Sequence, residues 1–538
     1  MTQRLPAGAL ALLLLVAGCA SASDETRQRS ATTAWPTAPG GITENPERST
    51  RTTWATDDLA NGTEATLGRR AAEASPPSVA ESIGSVEFVQ EETNPAIDPL
   101  RDGQSTFALD VDTGSYTIGK RFVEDGYLPD RASVRTEEYV NALNYHYPQP
   151  RTGDDFAIHL MGGVTPFVAE PDTFLFQVGV QAFDVDDEDR PGANLTFVID
   201  VSGSMSNDNK LDIVKEALVE LVQNLEPSDQ VAIVAYDDRA EVILDSTSVD
   251  NSDLIIRAID RLYPGGSTNA EAGLVAGYRL AEDAYDRNAI NRVILASDGV
   301  ANVGETDPDG ILASIAEAAG DGINLVTVGV GMGEYNDYLL EQLADNGDGF
   351  YAYVDSFDEI RRLFVTDLTG TLYTVAKDAK VQVEFNPDAV LSYRLLGYEN
   401  RAIDDEDFRN DAVDAGEIGA GHAATAIYEI VLTEDARPRD ELATVALRWL
   451  NPNTSRAVEM AERFTVGDLS DDFERAPKAF RAATTVAAYA EVLRESSFAR
   501  GVDWSLLVEV ADDVARDLRD EQFSDFSDLV YNAYRIQG

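Results

Sequence analysis

Apolar and polar positions change period repeatedly between residues 194 and 371, from short apolar runs to amphipathic helical patterns. Residues 195–201 form an apolar, β-branched run, which predicts one buried strand. A Gly/Ser turn follows, and then the helical pattern of residues 210–225 begins. Alternating strands and helices predict a parallel sheet covered by helices on both faces. The predicted fold class of this segment is therefore α/β, with a doubly wound, mostly parallel sheet and right-handed crossovers.

The same two periods predict the other elements of this segment. The predicted strands are 231–236, an antiparallel edge strand at 242–244, then 293–296, 325–330 and 351–353. The predicted helices are 252–262, 270–285, 310–319, 338–344 and 357–364.

Strand-type patterns also occur on both sides of the α/β segment, in residues 156–183 and 380–465. We expect these two regions to pair into one flanking β-sandwich. The remaining predicted elements are a strand at 105–112, helices at 114–127 and 134–145, and C-terminal helices at 480–493 and 506–518.

Three turns of the α/β segment carry oxygen ligands. Asp200, Ser202 and Ser204 follow the first strand at alternate positions. Thr268 lies in a glycine turn before a helix, and Asp298 ends the later strand. The carboxyl edge of such a sheet is where these folds bind ligands, and hydroxyl and carboxylate oxygens suit a hard cation such as Mg²⁺.

In order and spacing these turns resemble the metal-ion-dependent adhesion site (MIDAS) of von Willebrand factor type A (vWA) domains. The resemblance implies that Ser202, Ser204 and Thr268 offer hydroxyls to Mg²⁺, or to Mn²⁺ in its place. It also implies that Asp200 and Asp298 bind the ion directly or through water, and that one position is left for a partner's carboxylate. The alternatives are a vWA domain whose site binds no metal, or a nucleotide-type fold in which serine caps a helix.

Composition narrows the range of partners. The chain has 538 residues, a net charge of -54 and a pI near 4.2, so a nucleic-acid partner is not expected. We interpret the acidity as a solubilising surface of the kind found in adaptation to salt, and the alternative is an acidic binding device. The single cysteine excludes an intrachain disulfide, and three scattered histidines exclude a Cys/His zinc site.

The N-terminal residues 1–19 combine Arg4 with an apolar stretch too short to span a bilayer, which predicts a secretory signal. Its end, Val16-Ala17-Gly18-Cys19, resembles the bacterial lipobox, in which the cysteine is acylated and becomes the mature N-terminus. Ala20 and Ser21 lack the Asp that retains lipoproteins in the inner membrane of enteric bacteria, which favours the outer membrane. The alternative is a signal peptide with a chance cysteine.

The regions around the α/β segment resemble those of one family of bacterial envelope lipoproteins with a vWA domain. The run 397–430 carries part of this likeness, and the upstream positions that match are Thr106, Phe107, Asp110, Asp112, Thr113, Ser115, Tyr116, Val134, Arg135, Glu137, Glu138, Asn144, Tyr145 and Pro148. Asp110, Asp112, Thr113 and Ser115 could mimic a second metal site, but we interpret them as turn and cap residues because they lack later partners.

The predicted organisation has seven parts. They are a lipoprotein signal peptide (1–19), a disordered tether (20–93), a vWA-associated N-terminal region (94–150), strands of the flanking sandwich (151–190), the vWA domain (191–371), a β-rich flanking region (372–470) and C-terminal helices (471–538).

The resemblance implies a lipid-anchored cell-envelope protein that binds a protein partner through an Asp or Glu side chain at the MIDAS. An enzyme is not expected, because residues 191–371 contain no histidine to serve as a general base beside the metal. The alternative is an adaptor or scaffold for an ATPase or an envelope assembly, with the metal site dispensable. The chain itself has no Walker A sequence, so no nucleotide is expected.

Overall fold

The computed structural model describes residues 93–109, 111–168, 172–185, 190–298, 322–331, 337–345, 351–354, 368–452, 454–496 and 501–537, with residues 304, 310–313, 315, 347, 349, 361 and 499 between them. The predicted signal peptide, Cys19, nearly all of the predicted tether and Asp110 lie outside the described residues. So do half of the predicted helix at 310–319 and nearly all of the predicted helix at 357–364.

The strands alternate with helices in the middle of the chain and follow one another on either side. The strands are β1 (Gln104–Ala108), β2 (Phe156–Gly163), β3 (Thr173–Ala182), β4 (Ala193–Asp200), β5 (Gln230–Tyr236), β6 (Ala240–Ser248), β7 (Ile290–Ser297), β8 (Asn324–Val330), β9 (Tyr351–Val354), β10 (Thr374–Phe385), β11 (Val390–Leu396), β12 (Gly416–Gly419), β13 (Ala423–Leu432), β14 (Glu441–Asn451) and β15 (Arg456–Thr465). The α-helices are α1 (Gly114–Glu124), α2 (Thr136–Asn141), α3 (Lys210–Asn224), α4 (Ser252–Asp260), α5 (Ala270–Asp283), α6 (Asp337–Asp345), α7 (Leu368–Leu372), α8 (Lys478–Leu493), α9 (Trp504–Leu518) and α10 (Glu521–Gln537).

The middle of the chain forms a six-stranded sheet in the order β6-β5-β4-β7-β8-β9. All neighbouring pairs are parallel except β5 and β6, so β6 is the antiparallel edge strand that the sequence predicts. Strand β4 lies between β5 and β7. The predicted α/β fold class is confirmed. Strand β4 is an interior strand of the sheet, and it ends at the carboxyl edge.

Both faces of this sheet are buried, because alternate residues of β4 point into two separate cores. Leu195, Phe197 and Ile199 pack in the core that contains α3, α4 and α7. Val198 packs on the other face, in the core that contains α5 and α6. The continuous apolar run Phe197-Val198-Ile199 is the pattern expected when helices cover both faces.

The second core is completed by the segment that precedes the sheet in sequence. Ile118 and Phe122 of α1 pack with Tyr351 and Tyr353 of the edge strand β9. Helix α1 therefore covers part of the α/β sheet, although 94–150 was predicted as a separate region. Sequence periodicity identifies an apolar helix face but not the surface that it covers.

The flanking strands form two sheets, one with the order β1-β10-β14-β15 plus β12 beside β10, and one with the order β11-β13-β3-β2. Phe176 and Tyr428 of one sheet share a core with Val383, Val445 and Leu447 of the other. The predicted β-sandwich is confirmed. Strand β1 also belongs to it, through antiparallel pairing of Gln104 with Glu384.

The C-terminal helices α8, α9 and α10 form a further core with α2. Helix α2 is shorter than the predicted helix at 134–145. Leu143, Tyr145 and Tyr147 are all buried, and this alternate spacing suits an extended chain better than a continued helix. Among the described residues, no helix is long and apolar enough to cross a membrane.

Candidate metal centre

The last residue of β4 has an acidic side chain that is buried at the carboxyl edge of the sheet. Asp200 is the last residue of β4 and is fully buried. Its Oδ1 accepts a hydrogen bond of 2.8 Å from the backbone N–H of Ser202. Ser202 then begins the 3-10 helix Gly203–Asn209, which leads directly into α3. The hydroxyl oxygens of Ser202 and Ser204 lie 2.9 Å apart, so the first turn brings these two hydroxyls together.

The glycine turn with Thr268 lies against the first turn. The N–H of Gly265 donates to the carbonyl of Val201 at 2.6 Å, and the N–H of Gly203 donates to the carbonyl of Gly266 at 3.1 Å. Gly266 has a φ of +80°, and a Cβ there would come within 2.9 Å of Asp237, so both backbone and space require glycine. The turn leaves Thr268 buried.

The third turn follows β7 and brings the second carboxylate beside the first. The hydroxyl of Ser297 donates to Oδ2 of Asp200 at 2.8 Å. Asp298 is buried, and its Oδ2 lies 3.2 Å from Nζ of Lys210 at the start of α3. The Oδ1 of Asp298 is also buried, and none of the described residues forms a hydrogen bond with it. A buried carboxylate oxygen of this kind is a candidate ligand for a bound ion.

The electrostatics of the centre favour an added cation. Burial, together with the nearby Asp298, raises the pKa of Asp200 to about 6, against the lowering effect of the hydrogen bonds from Ser202 and Ser297. Two buried carboxylates close together disfavour each other's ionised forms. A bound cation would relieve this repulsion.

The donor set fits a hard divalent cation. Asp200, Ser202, Ser204 and Asp298 lie together, and Thr268 is on the adjoining turn. In the part of the chain that the structure describes, no three His, Cys, Asp or Glu residues are grouped to hold a metal. A site with only two carboxylates and several hydroxyls would not form such a group, and Mg²⁺ accepts oxygen ligands of both kinds.

Two polar residues of this centre were not predicted from the sequence. Ser297 precedes Asp298 and supports Asp200, and Lys210 pairs with Asp298. A signal for Lys210 was present, because a cation in the first turn of a helix is disfavoured by the helix dipole. A lysine at that position indicates a compensating carboxylate nearby.

The upstream acidic turn has structural contacts. Oδ2 of Asp112 lies 3.0 Å from Nη2 of Arg401, and Ser115 donates its hydroxyl to the carbonyl of Ser133 at 2.6 Å. Thr113 is at the N-cap position of α1, but its side chain makes no capping hydrogen bond. The structure thus agrees with a turn role for Asp112 and Ser115, and it corrects the cap role expected of the Thr113 side chain.

Comparison with known families gives matches along most of the chain. Residues 194–366 match the von Willebrand factor type A domain, and residues 370–536 match a family described as "Uncharacterized protein YfbK, C-terminal". Residues 83–174 match a family described as "von Willebrand factor". The first of these matches contains all five predicted metal ligands. Domains of the vWA type generally mediate binding between proteins.

The sequence similarity to individual known proteins agrees with these family matches. The chain is 35% identical over 478 residues to "Uncharacterized protein YfbK" of Escherichia coli (strain K12), covering 83% of this chain and 81% of that protein. It is 26% identical over 264 residues to human inter-alpha-trypsin inhibitor heavy chain H3, covering 45% of this chain and 28% of that protein.

Solved structures include a von Willebrand factor type A protein from Catenulispora acidiphila, with 19% identity and a TM-score of 0.40, covering 68% of this chain and 87% of that one. The assignment rests on the sequence matches. Because the similarity to YfbK extends over most of both chains, this protein belongs to the YfbK family of von Willebrand factor type A domain proteins.

Proposed function

We propose that this protein binds a protein partner through an Asp or Glu side chain that completes a Mg²⁺ site, with Mn²⁺ as a substitute ion. The ligands of the ion would be Asp200, Ser202, Ser204, Thr268 and Asp298. The observation that carries the proposal is the buried Oδ1 of Asp298, which accepts no hydrogen bond from the part of the chain that the structure describes. It belongs to the same cluster as Asp200 and two hydroxyls.

Residues of the chain itself fix the orientation of a carboxylate at this site in the absence of a partner. The Ser202 N–H and the Ser297 hydroxyl each hold one oxygen of Asp200, which fixes the orientation of that carboxylate. The bound ion would supply positive charge and an open coordination position for an anionic oxygen. The segments Gly203–Asn209 and 264–269 lie next to the site and would contact the partner.

The test is thermal unfolding of Asp200→Ala and the wild type, each stripped with chelator and titrated with Mg²⁺. Ligand linkage predicts a gain of about 2.7 kcal/mol for the wild type at a hundredfold excess over its dissociation constant. Asp200→Ala should gain almost nothing, while its fold survives because the change lies at a strand end. The control Asp212→Ala removes an exposed carboxylate of α3 and should respond like the wild type.

Equal shifts in Asp200→Ala and the wild type would refute the metal site. So would the absence of any shift in the wild type together with no Mg²⁺ uptake in calorimetry. Crosslinking of partners in intact cells, with and without chelator, then separates metal-dependent binding from an adaptor role in which the metal is dispensable.

We also propose that the protein is anchored to the cell envelope by acylation of Cys19, preferably in the outer membrane. The support is the sequence Val16-Ala17-Gly18-Cys19, which contains the chain's single cysteine. Mass spectrometry of the protein extracted from membranes should find a lipid-modified N-terminal Cys19. A mature chain that starts elsewhere and carries no lipid would contradict this.

A further inference from the structure

We propose that Lys210 sets the net charge of the metal-loaded centre, and so makes the centre select a partner that carries a carboxylate. The inference rests on the proposed function and adds a specificity-determining residue to it. It concerns a side chain that would not bind the ion, because an ammonium group has no lone pair to offer.

Lys210 is built into the centre rather than attached to its surface. Its Nζ lies 3.2 Å from Oδ2 of Asp298, and the two side chains are only 5% and 2% exposed. Gly331, directly after β8, makes room for the lysine stem, because a Cβ there would come within 2.8 Å of Cε. Gly331 also has a φ of +70°, which favours glycine.

The two carboxylate oxygens of Asp298 have different contacts. Oδ2 accepts a hydrogen bond from Lys210, whereas the buried Oδ1 has no hydrogen-bond partner within the described ranges. Lys210 therefore positions Asp298 to present one oxygen to the ion. The lysine occupies the first position of α3, where the helix dipole disfavours a cation. The Asp298 carboxylate compensates for that unfavourable placement.

The ammonium group of Lys210 changes the net charge of the metal-loaded centre. In their ionised forms, Asp200 and Asp298 carry two negative charges and Lys210 carries one positive charge. With a divalent cation the centre is therefore positive by one charge, and a partner carboxylate makes it neutral. Without the ammonium, the loaded centre would already be neutral. This matters because the whole chain has a net charge of -54 and would otherwise repel an acidic partner.

Removing the ammonium should therefore change two affinities in opposite directions. Mg²⁺ should bind more tightly, because both carboxylates are then uncompensated. A carboxylate should bind the loaded protein more weakly, because the positive charge has gone. A lysine that only supported the fold would weaken both interactions when replaced.

The experiment compares the full-length wild type with Lys210→Met. Calorimetry measures Mg²⁺ binding, and the probe for the second affinity is an N-acetylated, C-amidated Gly-Asp-Gly peptide. Its binding to Mn²⁺-loaded protein is followed by paramagnetic broadening of the Asp β-proton resonances. From the strength of interactions between close charges, we expect Mg²⁺ to bind about tenfold more tightly and the peptide about tenfold more weakly. The Gly-Asn-Gly peptide should show no metal-dependent binding to either protein.

Two variants serve as matched controls. Lys210→Arg keeps the charge, so it should bind the peptide more tightly, and Mg²⁺ more weakly, than Lys210→Met does. Lys215→Met removes the same charge from the same helix, where Nζ contacts the carbonyls of Asp260 and Leu262 instead of Asp298, and should stay within about twofold of the wild type in both titrations. If Lys210→Met does not fold, the same titrations on Lys210→Gln decide the question.

Unchanged or weakened Mg²⁺ binding in a folded Lys210 variant would overturn the inference, even if the wild type binds Mg²⁺ and Asp200→Ala does not. The proposed function would survive that result. Failure of the wild type to bind Mg²⁺ would instead refute the proposed function, and the inference with it.

Discussion

The hydroxyl of Ser297 connects two neighbouring strands at the candidate metal centre. It is the last residue of β7, and it donates to Oδ2 of Asp200 at the end of β4. The other Asp200 oxygen accepts the Ser202 N–H. Because both oxygens accept hydrogen bonds, the buried carboxylate cannot rotate without losing one of them.

We predict that Ser297→Ala lowers the free energy of unfolding of the chelator-stripped protein by about 1–3 kcal/mol, the usual effect of leaving a buried polar group without a donor. Urea denaturation measures this change. Ser206→Ala removes an exposed hydroxyl that donates to the Gly203 carbonyl at 2.7 Å, and should change stability by less than about 0.5 kcal/mol. Equal effects of the two variants would show that the Asp200 contact has no special role.

At the scale of single residues, the sequence predicts which residues follow the ends of strands, because strand and turn patterns are local. The geometry of Asp200, Ser202 and Ser204 agrees with that prediction, in that the three side chains form one turn. The supporting contacts of Ser297 and Lys210 were missed because they join residues 97 and 88 positions apart. Such contacts depend on how strands and helices are arranged in space.

Helices and strands from distant parts of the chain meet at Glu491, near the end of α8. This carboxylate is almost fully buried and accepts a hydrogen bond of 2.5 Å from the Thr136 hydroxyl at the start of α2. It also lies 3.7 Å from the guanidinium groups of Arg394 on β11 and of Arg494. The C-terminal helices are thus connected to both the upstream segment and the sandwich.

We predict that Glu491→Gln lowers the free energy of unfolding by about 1–3 kcal/mol, because the buried hydroxyls of Thr136 and Ser496 lose a charged acceptor. Arg394 and Arg494 keep their closer partners Glu429 and Glu399, each at 3.1 Å, which limits the loss. Guanidinium denaturation monitored by tryptophan fluorescence measures the change. The control is Glu495→Gln, whose wild-type side chain is 77% exposed and lies 4.0 Å from Arg131, and which should change stability by less than about 1 kcal/mol. Unaltered stability of Glu491→Gln would contradict the prediction.

Element types were predictable where one period continues over several turns. Helices α8 and α9 were predicted at 480–493 and 506–518, and they are observed at Lys478–Leu493 and Trp504–Leu518. The membership of β1 in the sandwich was not predictable. It pairs with β10, about 280 positions later, and the pattern of a single strand does not specify its neighbour.

The molecule as a whole is strongly acidic, and this charge acts on every part of the folded surface. A net charge of -54 makes a compact state repel itself. Salt screens such repulsion over about 10 Å at 0.1 M. Long-range repulsion between exposed carboxylates should therefore weaken as salt is added, whereas buried ion pairs such as Arg190 with Asp229 should change little.

We predict that the melting temperature of the chelator-treated protein rises when NaCl is increased from low to molar concentration. Differential scanning calorimetry measures this rise. Sucrose at equal osmolality is the control for effects that do not depend on charge, and it should stabilise less than NaCl. A flat or falling melting temperature in NaCl would contradict the hypothesis of a surface adapted to salt.

The sandwich is assembled from strands on both sides of the α/β sheet. Strands β1 to β3 precede that sheet in the chain, and the partners of β1 and β3, which are β10 and β13, come after it. During synthesis from the N-terminus, β2 can pair with β3 at once, whereas β1 and one edge of β3 emerge long before β10 and β13. The α/β sheet contains β4 to β9 and can form its strand pairs earlier. The nascent protein must consequently protect unpaired strand edges until residues beyond 430 have been made, a period in which aggregation competes with folding.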